Sequence, residues 1–411
     1  MIRSATCLLA AALVANCAGG ARKPEVEDRP AAGPVEMAKV VEVGNRFGLR
    51  LFEELVAEAP GANLFISPPS IALALAMAWN GARGETRAAM AEALGLGGLD
   101  PAEVNRASAA LLAAFATGDD KVTLDIANSL WSRRGIPLAE EFVKTNADYY
   151  GARAAELDFG SPEAVRTIND WVSDRTRGRI PDIIGRLQPE DVLVLLNAVY
   201  FKGAWTDAFD PEFTREREFA AAGGAKKPWP MMARSAEFRY REGDGFQAVR
   251  LGYGAGDIAM YVLLPEGPPA GLAARLAPGE FARWAGELRM RRGEVVLPRF
   301  RLEYAKKLND ALKRVGMDIA FDPARADFHG MLGAEIDMPF FISEVMHKSF
   351  VEVSEEGTEA AAATSVTLTL TAMPVEEERF RMVCDRPFLY AIRDDRSGAL
   401  LFAGVLNDPS E

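Results

Sequence analysis

The sequence holds only two histidines and three cysteines in 411 residues. Catalytic metal centres usually draw several ligands from these two types, so most of them are excluded and no metal site is expected. A disulfide scaffold is excluded on the same count. Dense basic runs are missing too: Lys and Arg total 47 against 59 Asp and Glu, for a formal net charge of −12. A nucleic acid backbone demands clustered cations, so nucleic acid is a poor partner for this chain. There is no G-x-S-x-G elbow, H-E-x-x-H pair or Walker loop. Gly252-Tyr253-Gly254-Ala255-Gly256 imitates part of a dinucleotide fingerprint, but a strand-like run follows where a helix is required, so it reads as a hairpin turn. His329 reads as part of a surface turn, and His347 as a satisfied core histidine in a strand-like run. With no nucleophile and base set, an enzyme is not the expectation.

What is present is an ordinary globular balance, 49% hydrophobic and 26% charged. The N-terminus carries Arg3 and then an apolar run, Ala5 to Ala15, too short to span a bilayer. Residues 1–16 therefore read as a cleaved export signal. Leu13-Val14-Ala15-Asn16-Cys17 resembles a bacterial lipoprotein box, with Asn16 a departure from its usual small residue. Lipidation of Cys17 and ordinary secretion with cleavage nearby are the two readings. Either way the protein is expected outside the cytoplasm: lipid-anchored to a bacterial envelope, secreted or periplasmic, and touching membrane only through that lipid. Residues 17–36 are charged and Pro-rich and read as a tether. Cys384 is left as a buried structural thiol.

From Met37 the pattern changes. Val40, Val43, Phe47, Leu51 and Leu55 fall at helical spacing. Further helices are predicted after Ser67-Pro68-Pro69-Ser70 and over 85–94, 102–115, 140–150, 162–175 and 308–315. Strands are predicted over 64–66, 122–131, 192–201, 238–241, 246–251, 258–264, 294–301, 388–393 and 400–406. Helices come first and mostly antiparallel strands follow, which is an α+β order in one large domain, 37–411.

Residues 355–378, EEGTEAAAATSVTLTLTAMPVEEE, do not behave like a linker. The even positions Thr358, Ala360, Ala362, Thr364, Val366, Leu368 and Leu370 are small, then apolar; the odd positions are mostly polar. That is a strand with one buried face, in need of a sheet to enter. Its flanks, alanines before and Pro374 with an acidic cluster after, suit a segment that is loop in one state and strand in another.

The hinge-like run Glu355-Glu356-Gly357-Thr358-Glu359-Ala360-Ala361-Ala362-Ala363-Thr364 resembles that of inhibitory serpins. The likeness extends to Asn63-Leu64-Phe65-Ile66-Ser67-Pro68-Pro69-Ser70-Ile71, to Asn197-Ala198-Val199-Tyr200-Phe201-Lys202-Gly203-Ala204-Trp205, to Asp327-Phe328-His329-Gly330-Met331 and to Asp385-Arg386-Pro387-Phe388-Leu389 with Leu401-Phe402-Ala403-Gly404. The resemblance implies about nine helices and three β-sheets carrying an exposed reactive loop near 355–378. It implies a suicide inhibitor of serine proteases whose cleaved loop enters the main sheet. It also implies that Ser67, Ser70, Asn197 and His347 form a polar cluster where the sheet opens, with Glu355 held near Trp205. By the family's interval the scissile bond is Thr371-Ala372; Leu370 and Met373 are alternatives. Small Thr371 suits elastase- or subtilisin-like targets, Leu370 or Met373 chymotrypsin-like ones, and a cysteine protease stays open. No cofactor is expected, because helix 102–115 carries only Arg106 as a cation. A monomer is expected. A non-inhibitory serpin that serves as a binding or folding partner is the alternative.

Overall fold

The computed structural model describes residues 34–116, 119–333, 338–358 and 379–410. The chain divides into a unit Met1–Ala31 and a unit Ala32–Glu411, and every described element lies in the second.

Helices come first among the described residues. Pro34–Glu58 turns Val43, Phe47, Leu51 and Leu55 into the core, the stripe its spacing predicts. Pro68–Gly81 is buried on nearly every side and starts at Ser67, with Pro68 in the first turn, where a missing N–H does no harm. Gly84–Leu94 and Pro101–Phe115 follow before the first long strand.

Among the described residues, two hydrogen-bonded networks carry the strands. One is a six-stranded sheet in the order Phe300–Lys307, Glu344–Val353, Gly357–Thr358, Leu193–Ala204, Val122–Arg133, Arg153–Leu157. The other has nine strands, because one long strand, Lys226–Gly243, belongs to two sheets. It pairs with Arg215–Ala220 and Arg289–Pro298, and then, at its end, with Phe246–Tyr253. The three expected sheets are thus present, two of them joined through this strand. Sequence pattern predicts only 238–241 of it, and Pro228 and Pro230 lie in the part it leaves out. They sit opposite Glu218 and Glu216, where the ladder to Arg289–Pro298 has not begun and a lost N–H is tolerated.

The predicted helix 308–315 is mostly a different object. Only Asn309–Leu312 is α-helical, and the chain then widens into a π turn over Lys313–Met317, where Gly316 takes a φ of 102°. The outer face of the six-stranded sheet is covered by helix Pro162–Arg175 and the chain after it. There Ile168, Val172 and Ile183 share a core cluster with Trp131, Leu196, Tyr200 and Phe350.

Candidate functional site

The two middle strands of the six-stranded sheet run parallel, in register from Glu344 opposite Val194 to Phe350 opposite Tyr200. Beyond Phe350 they part. The wedge is filled by Gly357–Thr358, antiparallel to both: Thr358 lies opposite Val353 on one side and Gly203 on the other, and Gly357 opposite Ala204. Two of the residues expected in a hinge loop are therefore already strand.

Thr358 is fully buried, and its hydroxyl shares a 2.7 Å hydrogen bond with that of Tyr253. Burial pushes the Tyr253 phenol far up, so it stays neutral. The Tyr253 ring stacks on Trp205 at 4.4 Å between centroids and 12° between planes. Gly357 has a φ of +143°, and a Cβ there would meet the Gly203 carbonyl oxygen at 2.2 Å, so no side chain fits.

Just before the wedge, the Ser354 amide donates to the Gly357 carbonyl at 2.8 Å, closing a tight turn. The Trp205 amide donates to the Glu356 carbonyl at 2.9 Å, and its indole Nε1 to the Ser354 carbonyl at 2.9 Å. The Glu355 carbonyl accepts from the Phe209 amide at 2.8 Å. Its carboxylate accepts from Arg299 Nε at 2.7 Å and from the Thr214 hydroxyl at 2.5 Å. Burial alone would raise the Glu355 pKa; the Arg299 and Thr214 hydrogen bonds outweigh it and hold the carboxyl below its ordinary range.

Lower in the sheet, where the strands still pair, a polar row crosses three of them. His347 lies opposite Asn197, and Asn197 opposite Asn128. His347 Nδ1 donates to Asn197 Oδ1 at 2.6 Å, and Asn197 Nδ2 donates to Asn128 Oδ1 at 2.5 Å and to Ser70 Oγ. The Ser67 amide points at His347 Nε2 from 3.4 Å. That arrangement fixes the neutral tautomer with its proton on Nδ1. Complete burial lowers the His347 pKa to about 3.

The structure thus brings Ser67, Ser70, Asn197 and His347 together and places Trp205 apart from them, at the hinge with Glu355, Glu356, Gly357 and Thr358. Glu359, Ala360, Ala361, Ala362, Ala363, Thr364, Leu370, Thr371, Ala372, Met373 and Cys17 lie outside the described residues. Tyr253, Thr214, Arg299 and Asn128 complete the site and carry no local signal. Tyr253 sits in the very turn that imitates a dinucleotide loop. Cys384 is buried, and burial pushes its thiol well up, away from reactivity. His329 forms part of a short 3₁₀ turn, its Nδ1 at 3.0 Å from Asp327 Oδ1.

A family model described as Serpin (serine protease inhibitor) matches residues 42–409. An uncharacterized serpin-like protein of Thermococcus kodakarensis is 39% identical over 375 residues, spanning 90% of this chain and 86% of the relative. The leukocyte elastase inhibitor of Homo sapiens is 36% identical over 387 residues, spanning 91% of this chain and 100% of the inhibitor. Among solved structures, the thermophilic serpin tengpin in its native state is similar with a TM-score of 0.83 at 30% identity, over 90% of this chain and 94% of that one.

Proposed function

Because the chain belongs to the serpin family, we propose that it is a suicide-substrate inhibitor of serine endopeptidases. The observation that carries this reading is the wedge: Gly357 and Thr358 already occupy the first two positions of a strand between Leu193–Ala204 and Glu344–Val353. A target protease attacks the carbonyl carbon of Thr371. The Thr371–Ala372 peptide bond breaks, an ester to the protease serine forms, and the serine proton passes through the protease histidine to the departing Ala372 amine. The freed segment then continues the strand begun at Thr358, parting rows 350/200 to 344/194, and carries the acyl-protease with it before water can cleave the ester. The native fold is on this reading a kinetically held state.

Thr371 is a small residue and suits elastase- or subtilisin-like enzymes; cleavage after Leu370 or Met373 would turn the preference to chymotrypsin-like ones. The human relative is named for leukocyte elastase, which supports the first class. We further propose export, with a lipid on Cys17 holding a monomeric inhibitor at the envelope. Incorporation of tritiated palmitate, abolished by Cys17→Ser, tests that part.

The inhibitory reading is tested by incubation with a panel of the three protease classes. An SDS-stable adduct of chain and protease is expected, with mass spectrometry of the released peptide fixing the cleaved bond. Cleaved chain and fully active protease across the panel would overturn it in favour of a binding or folding partner.

A further inference from the structure

Among the described residues, Phe213 and Met290 are the large hydrophobic side chains left exposed, at 57% and 58%. Each stands beside one root of the reactive loop. Phe213 precedes Thr214, whose hydroxyl holds Glu355 where the chain leaves for the loop. Met290 lies on strand Arg289–Pro298, three residues before Gly293. Gly293 is opposite Phe380, the first residue of the strand on which the chain returns. Apolar side chains scattered singly over a surface need no explanation; two that bracket one loop do.

The two roots differ in what they can do. The Thr371–Ala372 bond is eight residues from Phe380, at most about 30 Å on a fully extended chain, against thirteen residues and up to about 45 Å from Thr358. A protease domain of about 220 residues has a radius of gyration of about 17 Å, so one seated at the bond is wide enough to extend over the return strand. On the proposed mechanism, cleavage then separates the roots. The Thr371 side carries the protease away, and the Ala372 side stays with Phe380–Val383. A contact at Met290 is therefore open to an arriving protease and lost when it leaves.

The surface round Met290 is rigid and faces outward. Its strand is laddered on both sides, to Lys226–Gly243 and to Phe380–Val383. The inner side is closed. The Phe380 ring stacks on Tyr240 at 3.7 Å between centroids, the Arg291 guanidinium lies 5.4 Å from the Tyr240 centroid, and a Cβ on Gly293 would meet the Phe380 ring at 2.3 Å. Side chains alternate along the strand, so Met290 and Arg292 share the outer side with their register partners Arg239 and Glu237. All four are exposed. Further along that side Arg381 is paired with Glu294 at 2.8 Å, whereas among the described residues neither Arg239 nor Arg292 is in an ion pair. Two free cations and one carboxylate thus edge an exposed thioether, on a chain of net charge −12. A thioether adapts to a surface it touches briefly, and exposed cations steer an approach more than they lock it.

We propose that Met290, Arg239 and Arg292 form a secondary docking surface for the target protease. The partner chemistry it fits is an apolar spot edged with carboxylates, on the leaving-group side of the protease cleft. The inference rests on the inhibitory reading above, and it places the surface in the encounter step, before trapping.

The test uses the full-length chain and the panel proteases that form the adduct. Two quantities are measured: the second-order rate constant of adduct formation, and the number of inhibitor molecules consumed per protease trapped. The double variant Arg239→Glu, Arg292→Glu is expected to slow association about tenfold at low salt, and Met290→Ala about threefold. Consumption per protease should stay at the wild-type value, because the contact is gone by the time the loop enters the sheet. Raising ionic strength should slow the wild type toward the double variant. Amidation of the protease's surface carboxylates should abolish the charge effect and keep the Met290→Ala effect. All three positions are exposed, so unchanged thermal midpoints are expected. Wild-type association rates in every variant would overturn the docking surface while leaving the inhibitory reading intact. A charge effect that survives amidation would overturn the acidic partner surface. A dimer of the free chain that Met290→Ala dissociates would overturn the assignment in favour of a second copy. No adduct from wild type or any variant would overturn the inhibitory reading itself, and the docking surface with it.

Discussion

His347 and Asn197 bind each other across the line along which the two middle strands meet. Imidazole Nδ1 and amide Oδ1 are 2.6 Å apart, on residues that are direct register partners. The contact lies on the inner face of the sheet, one row from Lys348, which is tied down on the outer face. On the proposed mechanism the advancing strand must undo both, one above the sheet and one below it.

This histidine gives the fold a pH dependence whose sign can be worked out. Its folded pKa, about 3, lies below the ordinary value of 6.5. Between those values the unfolded chain binds the extra proton, so stability is fully present above pH 6.5 and falls as pH drops toward 3. The expected slope from this group approaches about 1.4 kcal/mol per pH unit. Urea midpoints of wild type and His347→Gln, compared from neutral pH downward, should converge as the medium is acidified. Parallel curves would contradict it.

On the proposed mechanism, Thr358→Arg should turn an inhibitor into a substrate. Thr358 is wholly enclosed and bonded to Tyr253, and an arginine there must either carry its charge into the core or stay outside the wedge. The variant is expected to fold, to be cleaved by the same protease, and to lose most of its SDS-stable adduct. Retention of wild-type adduct yield would speak against strand entry at this point.

Gly357→Ala should expel the two-residue strand. Its Cβ would lie 2.6 Å from Ala204 Cα as well as against the Gly203 carbonyl, at a φ that disfavours any side chain. The strain is roughly 1–3 kcal/mol. Trp205, whose indole donates to Ser354, reports the change. Its emission, isolated by difference from Trp205→Phe, should shift toward that of a solvated indole.

Glu355→Gln should loosen the hinge by roughly 1–2 kcal/mol, a figure held down by the half-exposed Arg299. Because the folded carboxyl is more acidic than an ordinary one, its contribution is present above the unfolded pKa and lost as pH falls through the folded value. Limited proteolysis after residue 354 as a function of pH checks this: wild type should become sensitive in acid, and the variant should be sensitive throughout.

Much of this was legible in the sequence, for identifiable reasons. Helix Pro34–Glu58 follows from its apolar period and strand Leu400–Leu406 from an apolar run after a turn, both local signals. Strand Lys226–Gly243 was legible only in part, because its prolines are harmless only where one edge is unpaired, a fact of tertiary context. The polar row needed more still. Ser67 and His347 are 280 residues apart, and no spacing rule joins them; only the family motifs did. Tyr253, Thr214 and Arg299 escaped notice because each is an ordinary strand or loop residue until the fold brings it to the wedge.

The Thr358–Tyr253 contact also sets a parity. Thr358 pairs with Val353 and Gly203, four and six residues along from Ser349 and Asn197, so it faces the same side of the sheet as the buried polar row. Side chains alternate strictly along a strand, and a slip of one residue would invert every position beyond it. A strand extended from Thr358 would therefore inherit one phase only, with Ala360, Ala362, Thr364, Val366, Leu368 and Leu370 inward and Glu359, Thr367, Thr369 and Thr371 outward. A single pair of hydroxyls thus works as a phase key, choosing which of two opposite faces a thirteen-residue stretch (359–371) would present to the core.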